Sequence, residues 1–279
     1  MAITLIHQLL RRHNRSKRAF ALPVTFLILL VTTLSLITVT YYFCVQNLQA
    51  QTIVLKASTA QHNFQSLDNL ILSMLGQPGS SNTIDLSDSG GIAKIQPTSN
   101  ILVISVNDGS SIDQTIFNST VGQATYELPT AASINMGFYL EGDSRTITNQ
   151  SGASPSQLYI SSGSHGPEIQ LRFRPTVTYA TAGLQNGQAV NDVRVYIVNF
   201  NASESITLRG GLPLKISCIS TQLTTQTYRV FYQAESLSIT SQLGGTNGTV
   251  SVPISSTAQG AVINIETVIS NVSIQRWIR

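Results

Sequence analysis

The chain has 279 residues, and only 10% of them are charged, against about 25% in an average soluble domain. Five of its 16 basic residues precede residue 19, and the other 11 are balanced by 13 acidic residues, so everything after residue 19 carries a net charge of −2. This excludes a broad basic surface for nucleic acid, and we expect no nucleic-acid partner.

The first predicted element is a membrane-spanning helix. No charged residue occurs from Ala19 to Leu55, and a helix over residues 20–45 would reach about 39 Å, enough to cross about 30 Å of hydrocarbon. Aromatic residues at 41–43 form a belt at its far end. Its near end is preceded by Arg11, Arg12, Arg15, Lys17 and Arg18. The positive-inside rule then puts residues 1–19 in the cytoplasm, lipid around residues 20–45, and the C-terminal part outside the cell.

A short motif at the start of this helix carries a family resemblance. Lys17-Arg18-Ala19-Phe20-Ala21-Leu22-Pro23-Val24 resembles the processing site of archaeal type IV pilins and pseudopilins, which have class III signal peptides. The resemblance implies that a prepilin-type peptidase cuts between Ala19 and Phe20, with Arg18 before the cut, and that the helix is retained. Val24 stands where bacterial type IV pilins carry a glutamate. An uncleaved signal-anchor flanked by basic residues remains the alternative, and a cleaved secretory signal fits less well because its apolar core is shorter.

The helix is predicted to continue past the membrane as an amphipathic extension over residues 46–75. Apolar residues recur there at steps of three and four, as expected for one stripe of an α-helix. They are Val54, Ala57, Ala60, Phe64, Leu67, Ile71 and Met74. Gly76-Gln77-Pro78-Gly79 should end the helix, so the helical region is expected to occupy residues 20–78.

After residue 79 the pattern changes to short β-branched runs separated by turn residues. Ile101–Val106 precedes the turn sequence Asn107-Asp108-Gly109, and alternating runs follow near residues 168–179, 193–197, 214–218, 228–232, 250–254 and 261–278. This pattern predicts an antiparallel β-sandwich head over residues 79–279. The fold class is therefore α+β, with a long N-terminal helix before the sandwich.

The head offers no recognisable catalytic or metal-binding motif. Neither the nucleophile elbow, the zinc-protease, the phosphate-loop nor the dinucleotide pattern occurs, and Gly163-Ser164-His165-Gly166 is interpreted as a surface turn. Two acidic stretches, residues 85–90 and 107–110, resemble calcium loops in composition but lack EF-hand spacing. Cys44 and Cys218 are predicted to be buried free thiols, with a disulfide between them as the less favoured alternative. We expect no enzymatic activity, cofactor or metal.

The head also contains five sequons for N-glycosylation. They begin at Asn118, Asn149, Asn201, Asn247 and Asn271. Asn201 and Asn247 fall in predicted turns and are the preferred candidates.

Two functions of different classes fit these features. The first is a structural subunit, a pilin or minor pilin of a surface type IV filament, which assembles with other pilin subunits through its apolar helix. The second is a membrane-anchored surface binding or adhesion module that does not polymerise. A membrane-anchored hydrolase is the least favoured alternative. The protein is expected in the cell membrane with one span and an extracellular head, or in a filament.

Overall fold

The structure is a computed structural model that describes residues 2–128, 136–163 and 166–277, with side chains described from residue 23 onward except at residue 212. Helix α1 comprises Ala2–Met74. The chain forms two compact units, Met1–Val54 and Leu55–Arg279. The last five turns of α1 thus belong to the same unit as the strands.

The first unit contains a segment suited to a membrane. From Pro23 onward α1 is long and apolar enough to cross a bilayer. Between Pro23 and Val54 the side chains are exposed, except for the half-buried Val45 and Ile53. The structure therefore agrees with the sequence that one candidate membrane-spanning helix lies near the N-terminus.

The second unit begins with the amphipathic part of α1. Ala57, Ala60, Phe64, Leu67, Ile71 and Met74 are each at most 5% exposed, which confirms the predicted stripe from Ala57 onward. Val54 is 68% exposed, so its assignment to the buried stripe is wrong. The Phe64 ring meets the Tyr126 ring edge-on, with centroids 6.0 Å apart. The helix ends at Met74, and Gly76 adopts a positive φ of 75°, as the predicted stop requires.

Thirteen strands follow in the described residues. In the first half of the head they are β1 (Ser81–Leu86), β2 (Ile92–Asn107), β3 (Asp113–Glu127), β4 (Tyr139–Glu141), β5 (Ser156–Ser162), β6 (Pro167–Phe173) and β7 (Thr176–Gln185). In the second half they are β8 (Gln188–Asn199), β9 (Ile206–Arg209), β10 (Leu212–Val230), β11 (Ser236–Leu243), β12 (Thr246–Pro253) and β13 (Ala261–Arg276). Each strand run predicted from the sequence falls on one or two of these strands.

The strands form two curled sheets in a sandwich-like arrangement. One sheet has the order β1-β10-β13-β8-β7, and we call it sheet A. The other, sheet B, has the order β12-β11-β2-β3-β6-β5-β4, with β9 paired to β2. The prediction of wholly antiparallel pairing is wrong at one place, because β13 and β8 pair in parallel over Ala261–Asn271. Alternation within a strand reports which face is buried and carries no information on the direction of its neighbour.

A core of β-branched and leucine side chains lies between the sheets. Ile104 and Leu237 from sheet B and Val193 and Ile263 from sheet A are completely buried within it. Outside this core, Gly91 lets the chain just before β2 pack closely against the end of β3. A Cβ atom at this position would lie 2.1 Å from the Glu127 carbonyl oxygen. The Gly91 N–H donates to the Tyr126 hydroxyl at 2.9 Å, which ties the start of β2 to β3 near the helix.

Candidate functional site: the N-terminal helix and its polar neighbours

The predicted processing residues Arg18, Ala19 and Phe20 lie within α1, and their side chains are outside the described set. Pro23 is inside the same helix, four residues after Ala19. In an α-helix the N–H of residue 23 would donate to the carbonyl of residue 19, and proline has no N–H. The Ala19 carbonyl therefore lacks its hydrogen-bond donor, and this carbonyl is part of the predicted scissile bond between Ala19 and Phe20.

Three threonines of the span, Thr32, Thr33 and Thr38, satisfy their hydroxyl groups within their own helix. Thr32 donates to the Leu29 carbonyl at 3.0 Å, and Thr38 donates to the Leu34 carbonyl at 2.8 Å. Thr33 does the same toward the preceding turn, at 2.8 Å and 2.9 Å. These bonds direct the hydroxyl groups toward the backbone of the preceding turn, so they need no partner outside the helix and the exterior of the span is largely apolar.

Asp68 is a buried carboxylate on the head-facing part of α1. It is 2% exposed, and its Oδ1 has no hydrogen-bond partner among the described residues. Burial raises the pKa of Asp68 to about 6, a hydrogen bond with Ser156 opposes the rise, and the nearby charge of Glu141 adds to it. The cost of burying the charged form therefore outweighs the single stabilising contact.

A second buried charge, Arg174, lies at the end of β6. Its guanidinium pairs with Asp143 and donates to the Ser154 carbonyl at 3.0 Å and 3.1 Å and to the Arg145 carbonyl at 2.9 Å. Ser154 and Ser156 share a hydrogen bond of 2.6 Å, so the network extends to the residue that contacts Asp68. These contacts fix the connection between β4 and β5 against the rest of the head.

The pKa of Asp143 lies well below its usual range. A hydrogen bond from Arg145 is the main cause, burial opposes it, and Arg174 lowers the pKa further. Asp143 therefore stays ionised and balances the buried guanidinium. The network consists of charge pairs and hydroxyl groups without a histidine or cysteine among its described members, and its geometry suits structural support.

A cleft of about 550 Å³ opens beside the start of β2. Lys94 and Glu127 form an ion pair on its wall, and Asp88 and Arg209 also line it. Charges of both signs in one open cleft favour polar ligands without selecting an anion or a cation.

The two acidic stretches with calcium-like composition begin at the ends of β1 and β2 and continue into the connections that follow, where their carboxylates accept backbone N–H groups. Asp108 Oδ1 accepts the N–H groups of Ser110, Ser111 and Ile112 at 2.8–2.9 Å. Burial opposes ionisation of this group, but hydrogen bonds from Tyr232 and these amides outweigh it and lower the pKa of Asp108 to about 2. In the other stretch, Asp88 Oδ1 accepts the Gly90 N–H at 2.7 Å.

Among the described residues, no three His, Cys, Asp or Glu side chains come together as a metal site would require. Ser164 and His165 lie outside the described residues.

The five sequon asparagines differ in exposure. Asn118 and Asn247 are exposed, whereas the other three are half-buried. Asn149 Nδ2 donates to the Ser251 carbonyl at 3.1 Å, and Asn271 Nδ2 donates to Ser220 Oγ at 3.0 Å. Asn201 lies in a turn as predicted, but Asn247 is in β12, because the hairpin turn falls on the two glycines before Thr246.

Both cysteines are free thiols, as predicted. Cys218 is buried, but the predicted burial of Cys44 is wrong, because Cys44 lies on the exposed surface of the apolar span. Sequence reasoning missed the two buried charges, Asp68 and Arg174. For Asp68 a signal was present, since it lies four residues after Phe64 and next to Leu67 on the apolar face of the helix. Arg174 gave no such signal, because its burial depends on the connection between β4 and β5 folding over it.

Comparisons with known proteins give no match for the chain among protein-family models, curated proteins or solved structures.

Proposed function

We propose that this protein is a pilin-like structural subunit, made as a membrane-anchored precursor and assembled through its N-terminal helix into a surface filament. Its action is assembly without catalysis, its head is extracellular, and its partners are a prepilin-type peptidase and further copies or relatives of itself. The observation that carries the proposal is the construction of α1. Its first part is an exposed apolar span, and its last part buries a stripe in the β-rich head.

The charge distribution supports a membrane-spanning helix that can leave the bilayer and enter a helix bundle. Cleavage after Ala19 would remove all five N-terminal basic residues and leave no side-chain charge from Phe20 to Leu55. Basic side chains at the membrane face oppose movement of a helix through lipid, because their charge would have to enter hydrocarbon. The processed helix could therefore pass from the bilayer into a helix bundle at lower cost than the precursor.

Pro23 supports cleavage at the same bond. In the precursor it interrupts the hydrogen-bond ladder within a long helix, which normally costs about 3 kcal/mol. In a mature chain that begins at Phe20, Pro23 would be the fourth residue. The first four N–H groups of a helix have no acceptor in the helix, so the missing N–H would cost nothing there.

The N-terminus of protein isolated from its native membrane or filament tests the proposal. Intact-mass measurement should give Phe20 as the first residue, and Ala19→Asp should leave the precursor uncut in the membrane. Ala19→Gly is the matched control, because a small uncharged residue before the cut should still be processed. Mature surface protein that retains Met1 or Ala2 would refute the filament subunit.

The cleft beside β2 supports the second candidate, a membrane-anchored binding module that does not polymerise. Lys94, Glu127 and Arg209 would supply its polar contacts. An uncleaved N-terminus together with strictly monomeric protein in the membrane would favour this function.

A further inference from the structure

Two strand segments of sheet A have open edges among the described residues. β1 covers the outer edge of β10 only from Leu212 to Ser217, which leaves Ile219–Val230 without a strand on that side. At the opposite border of the sheet, β7 is bridged to Thr148 at Thr176, and its remaining residues, 178–185, pair only with β8. Residues 222–227 and 178–185 are exposed throughout.

The two open segments carry few of the features that normally protect a strand edge. Exposed edges are usually interrupted by charges, prolines or bulges, because unpaired N–H and C=O groups can recruit another strand. Residues 219–230 contain no proline and one charged residue, the exposed Arg229 near their end, and residues 176–185 contain no charged residue and no proline. Leu223 is 62% exposed and Leu184 is 74% exposed, so each edge also presents apolar surface to water. Each strand contains one bulge or irregularity, in β7 between Thr181 and Gly183 and in β10 between Cys218 and Ser220, where the open segment begins.

The first part of β3 provides a comparison within the same head. Its outer side is also open, since β6 pairs only with Ala124–Glu127. This edge carries Asp113, the sequon at Asn118 and an irregularity opposite Ile104 and Ser105. The β3 edge thus combines a charge, a sequon and an irregularity, while the two edges of sheet A keep uncharged, proline-free runs over residues 219–228 and 176–185.

The directions of the two edges make them compatible with each other. β10 is antiparallel to β13, β13 is parallel to β8, and β8 is antiparallel to β7. β10 and β7 therefore run in the same direction at opposite borders of one sheet. Placing the β10 edge of one copy beside the β7 edge of another continues the sheet with all copies pointing the same way, and it leaves one free edge of each kind at the ends.

We propose that the head binds a second copy of this chain by β-strand addition, the edge of β10 residues 219–230 pairing with the edge of β7 residues 178–185 of the next copy. This contact would be the one between heads in the proposed filament, and it rests on that function for the alignment of the copies. Its hydrogen bonds come from the two backbones, and Leu223 and Leu184, which lie on opposite faces of sheet A, each add apolar surface beside the new pairing.

Disulfide trapping in the full-length protein, in its own membrane or filament, tests the contact. With Cys44→Ser as background, Ala180→Cys is combined in turn with Thr221→Cys, Leu223→Cys, Thr225→Cys or Thr227→Cys. Positions 180 and 221–227 (odd numbers) lie on one face of sheet A, because Thr227 and Ala180 flank the hydrogen-bonded pair Asn264 and Asp192. The four partners sample the register of the new pairing.

Mild oxidation should give a ladder of dimers, trimers and larger species for at least one pair, and no ladder for any single variant. The control pair Ala180→Cys with Gln242→Cys places the second thiol on an exposed position of sheet B and should give none. Absence of a ladder from all four pairs would overturn the proposal. So would strong dimers from Thr225→Cys alone, which would indicate two β10 edges meeting about a two-fold axis.

A charge on the edge gives a second measurement. Thr225→Lys, added to the pair that cross-links through another position, should reduce the ladder at least fivefold, whereas the uncharged Thr225→Gln should leave it unchanged. Equal ladders from both variants would contradict strand pairing. The N-terminal mass of the same samples separates the two proposals. A Phe20 terminus without a ladder refutes only the head contact, and a Met1 terminus with a ladder refutes only the filament subunit.

Discussion

Arg174 and Asp143 form an ion pair in which the arginine side chain is completely buried while the aspartate remains 39% exposed. The asymmetry makes Asp143 the group that compensates a charge with no access to water. Removing it would leave the guanidinium with only the carbonyls of Ser154 and Arg145. An uncompensated buried charge costs about 3–5 kcal/mol, and we expect Asp143→Ala to fall near the lower value because solvent reaches that side of the pair.

Urea unfolding of the full chain in detergent, followed by the fluorescence of Trp277, measures this loss. The matched control is Glu266→Ala, which breaks the ion pair between Glu266 and the half-exposed Arg194. That change should cost less than about 1 kcal/mol, because exposed pairs gain little over hydration. Equal losses from the two variants would show that burial of Arg174 does not determine the strength of its pairing.

Asp68 should make the stability of the head depend on pH. Its pKa is raised from 3.8 to about 6, so the folded state binds a proton more tightly than the unfolded state does. The resulting stability is fully present below pH 3.8 and is lost as the pH rises through about 6. A shift of this size corresponds to about 3 kcal/mol.

Asp68→Asn removes this titration and keeps the size of the side chain. The difference in unfolding free energy between the natural protein and Asp68→Asn should therefore change in the variant's favour by roughly 2 kcal/mol between pH 4 and pH 7, because part of the loss already occurs below pH 4. The comparison cancels the contributions of the other titrating groups. A difference that stays constant across this range would contradict a buried, proton-linked Asp68.

The boundary of the folding unit gives a third prediction. Because Phe64, Leu67 and Ile71 are buried in the same compact unit as the strands, a fragment over residues 55–279 should fold without the membrane span. A fragment over residues 79–279 lacks this stripe and should aggregate or unfold at lower temperature. Circular dichroism and thermal unfolding of the two fragments check this expectation. A shorter fragment as stable as the longer one would show that the helix contributes nothing to the head.

A point substitution makes the same comparison within the intact chain. Phe64→Ala should cost about 3–5 kcal/mol, since it leaves a cavity beneath the helix. Val54→Ala is the control, because Val54 is 68% exposed and its truncation leaves no cavity. The two residues look equivalent in the helical spacing of the sequence, so the difference between them comes from tertiary packing alone.

Phe64 and Val54 together illustrate which parts of the fold local sequence patterns can predict. The span, the stripe from Ala57 to Met74 and the strand runs follow from hydropathy and periodicity, which are properties of neighbouring residues. The parallel pairing of β8 with β13 and the burial of Arg174 depend on segments more than 20 residues apart. The open edge of β10 belongs to this second class, because the sequence of β10 does not reveal that β1 begins at Ser81, opposite Ser217, and leaves the rest of the strand uncovered.

Pro23 offers the sharpest test of how the precursor is processed. It has no N–H for the carbonyl of Ala19, so the carbonyl side of the predicted scissile bond has no donor in the hydrogen-bond ladder of the helix. A peptide bond must leave that ladder to enter a peptidase active site, so Pro23 should hasten cleavage. Pro23→Ala restores the donor and should slow conversion of precursor to mature protein severalfold, measured by pulse labelling and intact mass. Val24→Ala is the control, because it leaves the donor pattern unchanged and should be cut at the natural rate. If Pro23→Ala is processed as fast as Val24→Ala, the proline has no part in exposing the bond between Ala19 and Phe20.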